Sequence, residues 1–175
     1  MAAEVDTRWR ELFAEEAALV RSALGGRVVT VEHVGSTAVP GLAGKPVVDL
    51  LVGLAAPLTG ADNRALKRLG YEHLRARRDG RLVFRKGTPC RYSLHVTDYE
   101  SERWRAALAF RDYLRASPEA AEQYAQLKAV LSEKRRFGYS AGKSAFISQA
   151  LQRATFETGP LERIWSTPGV EPSEN

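Results

Sequence analysis

A glycine, a serine and a threonine (Gly35, Ser36, Thr37) close the β-type run "RVVTVEHVG" and follow it, and one aspartate, Asp49, stands inside a second, apolar run, "PVVDLLVGL". That spacing suits chemistry on an anion. Gly35 lets backbone approach a ligand closely, and Ser36 and Thr37 offer hydroxyls and amides to phosphate oxygens. Asp49 is the only charge in its run, and a carboxylate among apolar neighbours is costly unless paired or bound to a metal. Twelve residues lie between Ser36 and Asp49, enough for a turn and a return strand. A phosphate-binding turn and a metal-binding carboxylate can therefore aim at one spot. The alternative for Asp49 is a salt bridge to Lys45 or to an arginine of the later helices. For the Gly-Ser-Thr turn, the bland reading is Ser36 as a helix N-cap. The two readings coexist, because a helix N-terminus binds anions for the same reason. Lys45 precedes Pro46 and so stands extended at the strand entrance, reaching a phosphate or simply solvated.

The histidines divide by context. His33 shares a strand face with Val29 and Val31 and reads as a satisfied core residue. His95 lies on a polar stripe, Ser93, His95 and Thr97, and is the better site candidate. His73 has no supporting context. Two glycine–lysine stretches are decoys. "GLAGKP" has Pro46 where a phosphate loop needs a hydroxyl, and "GYSAGKS" has three residues between its glycines where four are required. The run Lys134, Arg135, Arg136 reads as a solvated helix end that could line a nucleotide cleft with Lys143.

These residues need elements to position them. Asp6 or Thr7 caps a first helix, with Trp9, Phe13, Ala17, Val20 and Leu24 at helical spacing and Gly25-Gly26 as its stop. "RVVTVEHVG" and "PVVDLLVGL" are strands, the second central in its sheet. Ser36 to Gly44 is a loop or a single helical turn. Thr59 to Leu69 is a crossover helix with Gly70 at its end. "YEHLRAR", "RLVFRK" and "RYSLHVTD" are short strands separated by turns at Arg78-Asp79-Gly80 and Gly87-Thr88-Pro89. "SERWRAALAFRDYLRA" is helical, Ser117-Pro118 starts another helix, and a last helix runs from about Lys143 to Thr155. The expected fold class is α+β: a mixed sheet with helices, followed by a helical subdomain. A single domain covers 1–167, with its core at about 1–100 and its helical part at about 101–157; residues 168–175 read as a loose tail.

Composition bounds the rest. The 175 residues suffice for a core without staples, and 44% hydrophobic with 27% charged is ordinary for a globular protein. No apolar run is long enough to span a bilayer, and the N-terminus lacks a signal-peptide pattern. The single cysteine, Cys90, excludes an internal disulfide and points to a reducing cytoplasm. A net charge of +5 permits an anionic partner without choosing one.

Gly-Ser followed, after a turn, by an aspartate in an apolar strand is similar to the signature of the DNA polymerase beta-type nucleotidyltransferase superfamily. More closely, "EHVGSTAVPGLAGKPVVDLLV" resembles the GrpB family of nucleotidyltransferase-like proteins. The likeness continues in Leu94-His95-Val96, in "FRDYLR" at 110–115, in Tyr124 and Leu127-Lys128, and in Tyr139, Lys143 and Phe146-Ile147. It implies a nucleotidyltransferase-like fold and a nucleotide or other phosphorylated small molecule as partner. It also implies a divalent cation, Mg²⁺ or Mn²⁺. Ser36 and the backbone of Gly35 and Thr37 would hold phosphates, with Lys45 nearby. Asp49 would hold the metal with His95 or Glu32. Arg111, Arg136 and Lys143 would supply positive charge. Asp49 and His95 would be the catalytic residues in transfer of a nucleoside monophosphate, with pyrophosphate leaving.

Two departures bear on activity. Superfamily enzymes carry two carboxylates at i and i+2 on the second strand to hold two metal ions; here the second position is Leu51, which cannot ligate Mg²⁺. The resemblance also implies a His-x-His pair in the later strand, and its first position is Ser93. His95 stands near the third-carboxylate position of the active enzymes, and imidazole suits Mn²⁺ or Zn²⁺ better than Mg²⁺. The alternative is therefore a non-catalytic binding or folding-accessory domain, similar to the one fused to some bacterial dephospho-CoA kinases. A nucleic-acid partner ranks last, since helix-turn-helix, zinc-finger and aromatic stacking patterns are all missing.

Overall fold

The computed structural model describes residues 2–74, 82–133, 146–148, 150 and 152. The elements are α1 (Ala2–Leu24), β1 (Val28–Val34), a 3-10 turn (Ser36–Ala38), β2 (Val48–Leu54), α2 (Gly60–Arg68), β3 (Tyr71–Leu74), β4 (Leu82–Lys86), β5 (Tyr92–Asp98), α3 (Glu102–Ala116) and α4 (Pro118–Glu133). The five strands form one sheet in the order β1-β2-β5-β4-β3. Among the described residues only β2 and β5 run parallel, and the other three pairings are antiparallel. This is the mixed α+β sheet; β2, expected at its centre, is an interior strand between β1 and β5, and β5 holds the middle place.

Alternation along the strands sorts side chains onto two faces. On the back face Val48, Leu50 and Val52 join Val31, Leu94, Val96, Tyr71 and Phe84 beneath Ala17, Val20 and Leu24 of α1 and Leu66 of α2. The apolar stripe of α1 fits this face, but the helix begins at Ala2 rather than at a cap on Asp6 or Thr7. Asp6 has another task. Its carboxylate accepts from the Gly41 amide at 3.2 and 3.3 Å and ties α1 to the loop before β2. One buried acid on this face, Glu16, is satisfied by Lys86 Nζ at 2.8 and 2.9 Å. The same ammonium lies over the Tyr71 and Tyr92 rings, so the charge is both paired and covered.

Local signals fix the ends of α2. Thr59 caps it and closes a reciprocal box with Asp62: the carboxylate accepts from the Thr59 amide at 2.7 Å, and Thr59 Oγ1 accepts from the Asp62 amide at 3.3 Å. The Thr59 hydroxyl, which donates to the same carboxylate oxygen at 2.6 Å, and then the Thr59 amide hold the Asp62 carboxyl below the usual range. Val29 departs from the expected face. A bulge between Val28 and Thr30 turns it outward, and it is exposed while Val31 is buried.

The front face carries Asp49, Leu51, Ser93, His95 and Thr97, and α3 crosses part of it. Ser101 caps α3 by accepting from the Trp104 amide at 3.2 Å, and Thr97 Oγ1 lies 3.1 Å from the Ser101 hydroxyl. Thr97 thus belongs to the cap. α4 starts at Ser117-Pro118 and packs on α3 through Leu114, Ala120 and Tyr124, with Val39 of the loop in the same cluster. Ile147 buries against Ala106 of α3, and Phe146 stacks on Tyr124. The Arg78-Asp79-Gly80 turn, Arg136, Lys143 and the expected tail lie outside the described residues. Among the described residues no helix is long and apolar enough to cross a membrane.

Candidate functional site

The site is built from three strands, one turn and one helix. Register places Val34, Asp49 and Ser93 side by side on β1, β2 and β5, and Glu32, Leu51 and His95 in the next row. Arg85 of β4 extends the Asp49 row, opposite Ser93.

Gly35 makes the turn possible. Its φ of +77° and ψ of −170° lie in a region essentially reserved for glycine. A Cβ there would also stand 2.9 Å from Asp49 Cγ and 3.0 Å from Asp49 Cβ. The Asp49 carboxylate therefore lies directly over the Gly35 backbone, with Oδ2 the atom nearest the turn. The other oxygen, Oδ1, is 3.2 Å from His95 Nε2, and the Ser93 hydroxyl is 3.1 Å from that same nitrogen. The Asp49 and His95 side chains are 25% and 29% exposed, so a ligand can reach them. Within the described residues, the partner of Asp49 is this histidine.

The 3-10 turn bonds Ala38 N–H to the Gly35 carbonyl and Val39 N–H to the Ser36 carbonyl. The amides of Ser36 and Thr37 have no acceptor within the turn and suit an anion. Ser36 folds against Gly44: a Cβ on Gly44 would stand 2.6 Å from Ser36 Cβ and 3.3 Å from Lys128 Nζ. Lys128, from α4, donates to the Ala43 carbonyl at 2.9 Å and lies 4.9 Å from the Tyr124 ring centroid. A hydroxyl and an ammonium thus converge at the loop that follows the glycine turn. Lys128 is absent from the sequence-derived site. The signal was a lysine one helical turn after Tyr124, on the face that carries that buried ring.

Other candidates have different roles. The Thr37 hydroxyl is 3.0 Å from His33 Nε2 and donates to the Val47 carbonyl at 3.1 Å; it staples the turn to the entrance of β2, leaving only its amide for a ligand. His33 is buried and stacks on Phe13 of α1 with centroids 4.7 Å apart. Burial first, then the charges of Arg115 and Arg111, push its pKa down to about 4, against an opposing pull from Asp49.

Arg111 is not aimed at the turn as a cation for phosphate. Its guanidinium donates to Glu32 at 2.8 Å, to the His33 carbonyl at 3.1 Å and to both oxygens of Asp112. It fixes α3 on β1, and the same bond commits Glu32 to Arg111 instead of the Asp49 row. Arg115 donates to the Ala38 carbonyl at 2.8 Å and pins the end of the turn. Lys45 is exposed at the entrance of β2. Leu51 is buried with Val34 beneath Trp104 of α3, so the second-carboxylate position is an apolar contact as well as a missing ligand.

What the donors can hold follows from their chemistry. Among the described residues no group of three or more His, Cys, Asp or Glu side chains is disposed around one point. One carboxylate oxygen facing a turn with unpaired amides fits a single Mg²⁺-like ion. Such ions commonly take one or two carboxylates and complete their shell with phosphate oxygens and water. It does not fit a two-ion centre.

Comparison with known proteins agrees with the geometry. The profile of the GrpB protein family matches residues 2–153. The chain is 35% identical over 154 residues to the glutamate-rich protein GrpB of Alkalihalophilus pseudofirmus, covering 82% of this chain and 88% of that one. It is 42% identical over 135 residues to a UPF0157 protein of Streptomyces coelicolor, covering 74% and 69%. The crystal structure of conserved protein GrpB from Enterococcus faecalis superposes with a TM-score of 0.69 at 32% identity, covering 90% and 95%. A cytoplasmic RNA terminal U-transferase superposes with a TM-score of 0.54 at 11% identity over 85% of this chain and 46% of that one. Terminal uridylyl transferase 4 from Trypanosoma brucei does so at 0.53 and 16% over 88% and 57%. At those identities the transferases share the fold alone. A Gly-Ser turn over a lone strand aspartate, a profile match along most of the chain and relatives above 30% identity converge on one assignment: this chain belongs to the GrpB family, with a nucleotidyltransferase-like α+β fold.

Proposed function

We propose that the chain binds a nucleoside triphosphate together with one divalent cation at the Gly35-Ser36 turn. The observation that carries this is the seat of the Asp49 carboxylate on Gly35, with Ser36 and Lys128 converging at Gly44 in the loop that follows the turn. The Ser36 and Thr37 amides and the Ser36 hydroxyl would take phosphate oxygens. Lys128 would exchange the Ala43 carbonyl for a phosphate, a charge-assisted bond roughly twice as strong as a neutral one. Lys45 stands at the same entrance. Asp49 Oδ2 would hold the cation, Mg²⁺ or Mn²⁺, which when bound neutralises charge on the triphosphate. If the chain transfers a nucleoside monophosphate, Asp49 and His95 are the side chains beside the reacting centre.

The second reading, a non-catalytic binding or folding-accessory module, is favoured by Leu51. A position that packs beneath Trp104 has been absorbed into the core of the α3 contact. Both readings keep the nucleotide site and differ in turnover.

The test is titration calorimetry with ATP and Mg²⁺ on the wild type, Ser36→Ala and Lys128→Met. The wild type is expected to bind weakly, with Kd of about 0.1–1 mM. Each substitution should weaken binding by about tenfold, as loss of a bond to a charged group does. Unchanged affinity in both variants would remove the turn as the phosphate seat.

A further inference from the structure

His95 approaches two partners with one nitrogen. Nε2 is 3.2 Å from Asp49 Oδ1 and 3.1 Å from Ser93 Oγ. An ionised carboxylate only accepts hydrogen bonds. The proton of the Asp49–His95 bond must therefore sit on Nε2, with the Ser93 oxygen sharing it. A nitrogen that carries a proton has no lone pair for a metal. Nδ1, beside Cβ, is the ring nitrogen remote from the carboxylate.

The two carboxylate oxygens divide accordingly. Oδ1 is engaged by the imidazole, and Oδ2 lies nearest the Gly35 turn. Rotation about the Asp49 side chain is restrained from both sides, by the glycine backbone beneath it and by the ring beside it.

We infer that His95 is a positioning residue and not a metal ligand: it donates Nε2–H to Asp49 Oδ1 and so presents Oδ2 to a hard cation held otherwise by phosphate oxygens. This rests on the proposed cation–nucleotide site. It changes the expected donor set from mixed carboxylate–imidazole to oxygen only, which selects Mg²⁺ over the ions that favour imidazole. Partners that orient a ligating side chain commonly matter by about 10- to 100-fold in metal affinity.

Two measurements test it. Nitrogen-15 NMR of the histidine rings in the ligand-free protein, at about pH 8 where an ordinary imidazole is neutral, is expected to show the His95 proton on Nε2. In Asp49→Leu the share of Nε2–H should fall towards the ratio of a free imidazole, and the Nε2–H resonance should lose its hydrogen-bonded shift. A proton on Nδ1 in the wild type would overturn the assignment whatever the protein binds. The second measurement is Mg²⁺–ATP calorimetry on His95→Gln and His95→Leu. The glutamine amide reaches the place of Nε2 and still donates, so His95→Gln should keep affinity within about threefold, while His95→Leu should lose about 10-fold or more. Equal loss in both variants means the imidazole itself is required, and the positioning role fails. Absence of Mg²⁺–ATP binding in the wild type would overturn the nucleotide site, with the NMR result still deciding the hydrogen bond.

Discussion

At the scale of the residue, much of the site depends on one backbone conformation. Gly35 combines a positive φ with a carboxylate that fills the space a Cβ would need. Gly35→Ala therefore faces both strain and collision. Its unfolding free energy is expected to fall by about 1–3 kcal/mol, and Asp49 must move from the turn, removing metal-dependent ligand binding. A denaturant melt with no loss in Gly35→Ala would contradict this geometry. The glycine, the serine and the aspartate were legible in the sequence because each is an anomaly: a glycine after a strand, a hydroxyl at a turn, a charge in an apolar run. Lys128 was not, because its place one helical turn after Tyr124 does not say which loop its ammonium reaches. It acquires its place when α4 docks and carries its Nζ to the Ala43 carbonyl, 85 residues away along the chain. Arg111 was legible as a cation and misread as a ligand group, since only the fold sets it between Glu32, Asp112 and the His33 carbonyl.

At the scale of the element, the contact of α3 with the sheet decides what β2 can become. From sequence alone, Leu51→Asp looks like the restoration of a second carboxylate. The fold makes it a burial, because Leu51 lies with Val34 beneath Trp104. An unpaired carboxylate there is expected to cost about 3–5 kcal/mol, with no metal-dependent gain. A Leu51→Asp variant that melts like the wild type would show that α3 can lift from the sheet. The α1 contact makes a second prediction. His33 is stacked on Phe13 and held by Thr37, with its pKa depressed from 6.5 to about 4. The unfolded chain thus binds a proton between these values that the native state refuses. The contribution of His33 is complete above pH 6.5 and is lost as pH falls towards 4. The loss over that window is on the order of 2–3 kcal/mol. Melts at stepped pH should show the decline, and the His33 ring signals should begin to titrate only near the lower limit. Titration of His33 near its ordinary value in the native protein would contradict the buried network. Element order and strand alternation were readable, since apolar periodicity records burial directly. The helix start at Ala2 was not, because Asp6 serves a distant amide instead of its own helix.

At the scale of the molecule, sheet and helices meet around one open carboxylate. The back face forms the main core. The front face is divided between an apolar contact at Leu51 and a polar row through Asp49, Ser93 and Arg85. The α4 contact supplies an ammonium to a turn built by β1 and β2. This division gives the central claim: Asp49 serves a ligand and not the fold. Asparagine keeps an oxygen for the His95 donor and removes only the charge. The direct measurement is a set of urea melts of wild type and Asp49→Asn, each with and without Mg²⁺ and ATP in excess. Without ligand the two proteins should differ by less than about 1 kcal/mol. With ligand at about 10 times Kd, the wild type should gain on the order of 1.4 kcal/mol by mass action, and Asp49→Asn should gain nothing. A large ligand-independent loss in Asp49→Asn, or an equal ligand-dependent gain in both proteins, would contradict the claim.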